Sequence, residues 1–522
     1  MLDLILAGGF VVDGTGAPPW RADIAVSGTR IVAVGRLGDL TAHSVIDVSN
    51  RYLMPGFIDV HAHLDALLTD DAVQLAALSQ GVTTVILGQD GLSFAPSSAP
   101  TARAVASYFA AVNGQLPIAF TQGCSVAELL AHYDQAGALN AGYLAPAGTL
   151  RIEALGYSAG PADPDQLRKM RVLLEQALAD GALGLSSGLE YVPGRHADVA
   201  ETAALCAPVA DAGGVYVSHI RGYEADAWRG LAELADVARR SGVAAHASHL
   251  HGPANMIIEL LDQDRAAGLD LTFDSYPYLR GSTILAMVAL PAELQQAGPD
   301  ATLARLSQPA VREALHREWF PAIRDVLDRV RLAHIGSAEW SWAEGKSLRA
   351  AADQARITPG ELVCELILAS SLAVGCVFGQ PPTNTEHDLR SLLRHEAQML
   401  GSDAIMLGSQ PHPRGWGAFA RALARHTREL GDWSWGEAAV HLAGHPARRF
   451  GLTDRGALRT GYLADVVVLD PATIQDQADY DHPRRPATGV DHVLVNGEFV
   501  LRDGALTGVR AGRALRRGES YP

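Results

Sequence analysis

The sequence predicts an α/β protein: a parallel (β/α)8 barrel of the TIM type, with a small β-sandwich formed from both chain termini and a helical insertion. Three observations carry this. Short apolar runs alternate with helix-like stretches through the middle of the chain, as βα units feeding a parallel sheet do. Eight such runs occur, at residues 54–60, 82–87, 140–145, 182–187, 214–218, 243–248, 270–275 and 398–402. Both ends read instead as short strands separated by turn dipeptides such as Asp13-Gly14 and Ser27-Gly28.

Taken in order, residues 4–6, 10–12, 24–26, 31–34 and 44–48 are the N-terminal strands. Residues 464–470 and 493–497, with a turn at Asp503-Gly504, are their C-terminal counterparts. Residues 1–54 and 455–522 are therefore assigned to the sandwich and 55–454 to the barrel. A chain of 522 residues is too long for one ordinary core, which agrees with two domains. The spacing breaks once, between Tyr278 and Met399, a gap of about 120 residues that exceeds any single βα loop. Within it, 283–345 reads as helices rich in Leu, Ala and Arg, with an aromatic pair, Trp340 and Trp342. It is either a lid over the barrel mouth or a peripheral decoration.

Composition narrows the class. Hydrophobic residues make up 48% and charged residues 19%, as in a soluble globular protein. A net charge of −16 argues against nucleic acid and anionic membrane as partners and leaves a small-molecule substrate. Cys124, Cys206, Cys364 and Cys376 are widely spaced with no CxxC, and read as thiols of a reducing compartment. The first residues lack a basic leader, and no run reaches the roughly 20 apolar residues of a membrane span, so the expected location is cytoplasmic. A homo-oligomer is left open.

The chemistry sits at the ends of the apolar runs. His61-Ala-His63 closes the first, and residues i and i+2 on a strand face one side, which pairs two imidazoles as metal ligands. Asp90, His219, His249 and Asp403 follow the ends of later runs, where barrels of this class carry their active sites. Six candidates suffice for one Zn2+ or two, with an open position for water. Ser-His follows the apolar run at both Ser218-His219 and Ser248-His249, which favours His249, although strand alternation also lets His251 face the site. Asp403, after the last strand, suits a general base that takes a proton from water and passes it to a leaving amine. Only two lysines occur, Lys169 and Lys346, and neither closes an apolar strand, which argues against a carboxylated lysine bridging two metals.

Five stretches add a resemblance. They are Gly181-Ala-Leu-Gly-Leu-Ser-Ser-Gly-Leu-Glu-Tyr-Val-Pro-Gly194, Asp274-Ser-Tyr-Pro-Tyr278, Gly401-Ser-Asp403, His412-Pro-Arg-Gly-Trp-Gly417 and Pro446-Ala-Arg-Arg-Phe-Gly-Leu452. With them the chain resembles the amidohydrolase superfamily, and within it the D-aminoacylase (N-acyl-D-amino-acid deacylase) family, over nearly its whole length. The resemblance implies hydrolysis of the amide of an N-acyl-D-amino acid. It implies that His219 and His249 hold a tightly bound zinc, that His61 and His63 serve a second, weaker position, and that Asp403 is the base. It further implies that Arg414 and Tyr278 grip the substrate α-carboxylate, an arginine fork fitting a carboxylate bidentately. Ser187 and Tyr191, inside the first stretch, are placed at the substrate on the same ground.

Two departures qualify the resemblance. The family usually carries a zinc-binding cysteine in a Gly-Asn-Cys-Gly turn, where this chain has Gly88-Gln-Asp-Gly91. A carboxylate ligates or bridges metals but is harder than thiolate, so divalent ions other than zinc become eligible. The family also commonly has a lysine where His251 stands, and a histidine-containing stretch where Pro146-Ala-Gly-Thr149 stands. These changes keep two alternatives in view: a cyclic amide or lactone hydrolase or dehydrative cyclase on the same metal site, and a non-catalytic metal-binding protein.

Overall fold

The computed structural model of the chain describes residues 2–38, 40–379 and 384–519. Its centre is an eight-stranded parallel sheet in sequence order. The strands are β1 (Phe57–Asp59), β2 (Val82–Leu87), β3 (Asn140–Pro146), β4 (Gly184–Gly188), β5 (Val215–His219), β6 (Ala244–Ala247), β7 (Leu271–Ser275) and β8 (Gln398–Leu400). Each predicted run overlaps one of them, and those at 140–145, 182–187 and 214–218 stop one residue short of the strand end. Both faces of β2 are buried along its whole length, because helices cover one side and the barrel interior the other. The sheet closes on itself: Asp403 N donates to His61 O (2.8 Å) and His63 N to Ala404 O (3.0 Å). Asp59 clamps the same seam by accepting from Ser402 N (2.8 Å) and from the Ser402 hydroxyl.

Helices pack outside. Ala227–Ser241, which joins β5 to β6, turns Leu231, Leu234, Ala235 and Ala238 inward and stops at Gly242, whose φ of +73° ends the helix in the left-handed region. Pro164–Ala179 starts on a capping box in which Asp163 and Gln166 satisfy each other's backbone N–H groups.

The two chain ends build one nine-stranded sheet. Tyr52–Pro55 pairs with Leu2–Val11 on one side and with Val466–Leu469 on the other. Alternation along Val466–Leu469 serves two cores: Val466 and Val468 pack with Leu6, Ile24 and Leu53, whereas Val467 and Leu469 join the barrel core. A buried polar knot fixes the junction, Asp465 pairing with Arg455 and accepting from Asn496 N (2.7 Å) and Asn140 Nδ2 (3.3 Å).

Two expectations change here. The run 54–60 is divided between the terminal sheet and β1, at Gly56, where a Cβ would lie 2.2 Å from Thr83 Oγ1. Residues 4–6 and 10–12 are not separate strands: Leu2–Val11 is continuous, with a register shift between Leu6 and Gly9.

Between β7 and β8 the chain forms an antiparallel sheet of Arg280–Ile284, Val374–Gly379 and Val330–Ile335, in that spatial order, with helices such as Pro299–Leu306 and Pro359–Ala369 around it. It has its own core, including Ile284, Leu285, Leu332, Cys364 and Val374. All four cysteines are buried and unpaired. Among the described residues, no helix is long and apolar enough to cross a membrane.

Candidate metal centre

The strand ends bring the six ligand candidates to one point. His61 and His63 follow β1, Asp90 follows β2, His219 is the last residue of β5, His249 follows β6 and Asp403 follows β8. Asp90 lies between the imidazoles. Its Oδ1 is 3.6 Å from His61 Nε2 and 3.7 Å from His249 Nε2, and its Oδ2 is 3.6 Å from both His63 Nε2 and His219 Nδ1. Asp403 Oδ1 stands 3.4 Å from His63 Nε2 and 3.9 Å from His61 Nε2. These separations suit donors about 2.1 Å from a shared ion and are too long for hydrogen bonds. Neither ring nitrogen of His61, nor Asp90 Oδ1, has a hydrogen-bond partner, although all are buried. One donor atom from each of His61, His63 and Asp403 lies within 4.8 Å of the others, and the same holds for His61, Asp90 and His249. Buried imidazole and carboxylate donors left open toward one another are what a divalent ion requires.

The backbone is bent to achieve this. Asp90, His249 and Asp403 have φ of +55°, +35° and +50°, a region non-glycine residues enter at a cost of about 1 kcal/mol or more. Three strained residues at one point mark a site held by its surroundings. Gly188 makes room for the Asp90 turn, since a Cβ there would lie 2.2 Å from Asp90 O. Asp274, in β7, fixes the next turn by accepting from His249 N (2.8 Å) and pairing with His246 Nε2 (2.9 Å).

The electrostatics favour added positive charge. Burial lowers the basicity of His63, yet Asp403 and Asp90 push it up to about 10. His219 is likewise pushed up to about 9 against burial, by Asp90 and then Glu190. Asp90 is held well below the usual carboxylate range despite burial, through His219 above all. Carboxylates that raise their histidine neighbours this far also attract a metal cation.

A cavity of about 680 Å³ opens onto the centre. His63, Asp90, His219, His249 and Asp403 floor it, and Tyr191, Tyr223, His251 and Tyr276 stand beside them. The inserted segment supplies an opposite wall with Met287, Val288, Val326 and Phe378. Tyr191 donates to or accepts from Thr283 Oγ1 (2.7 Å), linking the barrel to that wall. His251 stacks on Tyr223 at 4.9 Å and keeps Nδ1 on His249 O (2.9 Å).

Three residues placed at the substrate by resemblance do not line this cavity. Tyr278 does not line the cavity. Its N–H donates to Tyr276 O (2.9 Å) across Pro277, which turns the ring away toward His412 and Arg421 and leaves Tyr276 at the cavity. Ser187 is buried in β4, bonded to Tyr216 Oη (2.6 Å) and Ser218 Oγ (3.0 Å). Arg414 is fully buried behind Asp403. Its Nη2 pairs with Asp403 Oδ2 (2.7 Å), its Nε donates to Asp403 O (2.6 Å), and its guanidinium lies 4.6 Å from the Tyr276 ring. Conversely, Tyr276, Asp274 and Glu190 carry contacts that reading strand ends did not single out. The first two lie in the Asp274–Tyr278 stretch and the third in the 181–194 stretch.

Comparison with known proteins finds relatives over nearly the whole chain. The amidohydrolase family profile matches residues 44–501. The chain is 34% identical to the N-acyl-D-glutamate deacylase of Alcaligenes xylosoxydans xylosoxydans, over 99% of this chain and 97% of that one. It is 32% identical to the D-aminoacylase of the same organism, over 99% and 98%. A solved N-acyl-D-glutamate deacylase from Bordetella bronchiseptica, complexed with zinc and a phosphonate mimic of the tetrahedral intermediate, superposes with a TM-score of 0.83. That match has 30% identity and covers 99% of both chains.

Proposed function

The chain belongs to the amidohydrolase family, and on that premise we propose that it hydrolyses the amide bond of N-acyl-D-amino acids at a divalent-metal centre. The observation that carries this is the buried knot of His61, His63, Asp90, His219, His249 and Asp403, open to a cavity large enough for a small molecule. The D configuration rests on the relatives' activities. Zinc, one ion or two, suits imidazole and carboxylate donors, and the harder Asp90 admits other divalent ions.

When bound, a divalent ion lowers the pKa of water and polarises the acyl carbonyl. The chain's residues do the rest. Arg414 occupies Asp403 Oδ2, which leaves Oδ1 facing the centre as the proton acceptor. Oδ1 takes the proton of the attacking water, holds it, and returns it to the leaving nitrogen. Tyr191 and His251 border the chamber and meet the substrate. The inserted segment acts as a lid whose apolar wall excludes water from the scissile bond. The four unpaired cysteines fit a reducing, cytoplasmic setting.

The test is a panel of N-acetyl-D- and L-amino acids with the purified protein, metal content measured alongside. Amine release from D substrates only is expected, lost on chelation and restored by zinc, cobalt or manganese. Asp90→Ala is expected to lose both metal and activity. Bound metal with no cleavage of any D substrate would overturn the reading and direct the search to cyclic amides.

A further inference from the structure

We propose that Glu190 is a positioning residue for His219: it accepts the Nε2 proton and so fixes the tautomer that presents Nδ1 to the metal centre. The inference rests on the metal-dependent reading above. Glu190 Oε2 lies 3.1 Å from His219 Nε2, on the far side of the ring from the centre. On the near side, His219 Nδ1 faces Asp90 Oδ2 at 3.6 Å and His249 Nε2 at 3.2 Å. The backbone sets this up. Gly188 pairs with His219 in the parallel ladder, and Leu189 N donates to His219 O (2.9 Å). The next residue, Glu190, thus leaves the rim of β4 beside the imidazole that ends β5. Its other oxygen is tied down by Gly222 N (3.1 Å), so the carboxylate has little freedom to turn.

Packing alone does not choose the tautomer. The rings of Tyr191, His249 and Tyr223 surround His219 at 4.9, 4.8 and 5.0 Å and fix where the imidazole sits. Ring contacts do not decide which nitrogen holds the proton, whereas an acceptor at Nε2 does. The neighbouring candidate ligand follows the same plan: His63 Nδ1 has Asn113 Oδ1 at 3.1 Å while its Nε2 faces the centre. A metal-bound histidine whose other N–H meets a carboxylate or carbonyl is both oriented and made more basic.

The test reads the metal and the imidazole, without substrate. Zinc affinity is measured by competition with a chromogenic chelator. The His219 tautomer is read from long-range 1H–15N spectra of the 15N-labelled, metal-free protein at a pH above the imidazolium transition, assigned with His219→Ala. Glu190→Met keeps the length and removes the acceptor. It is expected to weaken zinc about 10–100-fold and to abolish the single Nε2-protonated pattern. Glu190→Gln retains a carbonyl acceptor and is expected to recover the pattern and most of the affinity. Wild-type affinity and pattern in Glu190→Met would overturn the proposal. Equal losses in Met and Gln would also overturn it, since charge alone would then account for the effect. Glu190→Ala serves if the methionine variant does not fold. A protein that binds zinc but cleaves no N-acyl-D-amino acid would sink the proposed reaction and leave this measurement intact.

Discussion

Replacing Arg414 with methionine removes a guanidinium that makes three contacts to two segments: Asp403 Oδ2 at 2.7 Å, Asp403 O at 2.6 Å and Ser282 O at 3.3 Å. Neither partner of the ion pair is in water, the Asp403 side chain being 8% exposed and that of Arg414 0%. At 2.7 Å and an effective dielectric constant of about 20, the attraction is about 6 kcal/mol. Part of this is offset by the desolvation both ions undergo on folding, and removing one member of a buried pair costs about 3–5 kcal/mol. That loss is expected in Arg414→Met as a lower urea midpoint. Because Asp403 is no longer held with Oδ1 toward the centre, kcat on an N-acetyl-D-amino acid should fall about 100-fold with KM nearly unchanged. Unchanged stability and kcat with a KM raised about 100-fold would refute the reasoning and restore Arg414 as the grip on the substrate carboxylate.

Tyr278→Phe should change KM by less than about 3-fold, since the ring faces His412 and Arg421 rather than the cavity, whereas Tyr276→Ala should alter KM and kcat together by removing a chamber wall; steady-state kinetics on both variants decide it. Glu344 ties the inserted sheet to the loop after β8, accepting from Ile335 N (2.7 Å), Ser409 N (3.0 Å) and Ser409 Oγ (2.6 Å). Against burial, His334 and Ser409 hold this carboxylate down at about 2, below its ordinary 4.5. The folded pKa is the lower one, so the contribution is present above pH 4.5 and lost as pH falls toward 2. Glu344→Gln should cost roughly 1–2 kcal/mol at pH 7 after solvent screening, and progressively less in denaturation series run down to pH 3.

The barrel was legible because strands buried on both faces are written as contiguous apolar runs, as in Val82–Leu87. The ligands were legible for a related reason: each lies at or just past such a run, where the chain reaches the rim. Periodicity stops being informative where the strand stops. Tyr278 shares a face with Tyr276 only if the strand continues, and the turn at Pro277 ends it. The inserted sheet was hidden because its pairing is non-local, Arg280 opposite Gly379, and no single run declares a partner a hundred residues away. Arg414 illustrates a third limit: a sequence shows that a guanidinium is available, but its nearest carboxylate is decided by the fold.

Asp90 departs from the resemblance in a way that the geometry makes intelligible. A thiolate presents one donor atom. The Asp90 carboxylate presents two, and the structure assigns them to different histidines, Oδ1 to His61 and His249, Oδ2 to His63 and His219. The carboxylate plane therefore divides the four imidazoles into two pairs. Each pair joins one histidine from the first strand end with one from β5 or β6. Asp403 Oδ1 stands by one histidine of each pair, His63 at 3.4 Å and His61 at 3.9 Å. The left-handed φ of Asp90, +55°, belongs to the turn that sets both oxygens among the four imidazoles.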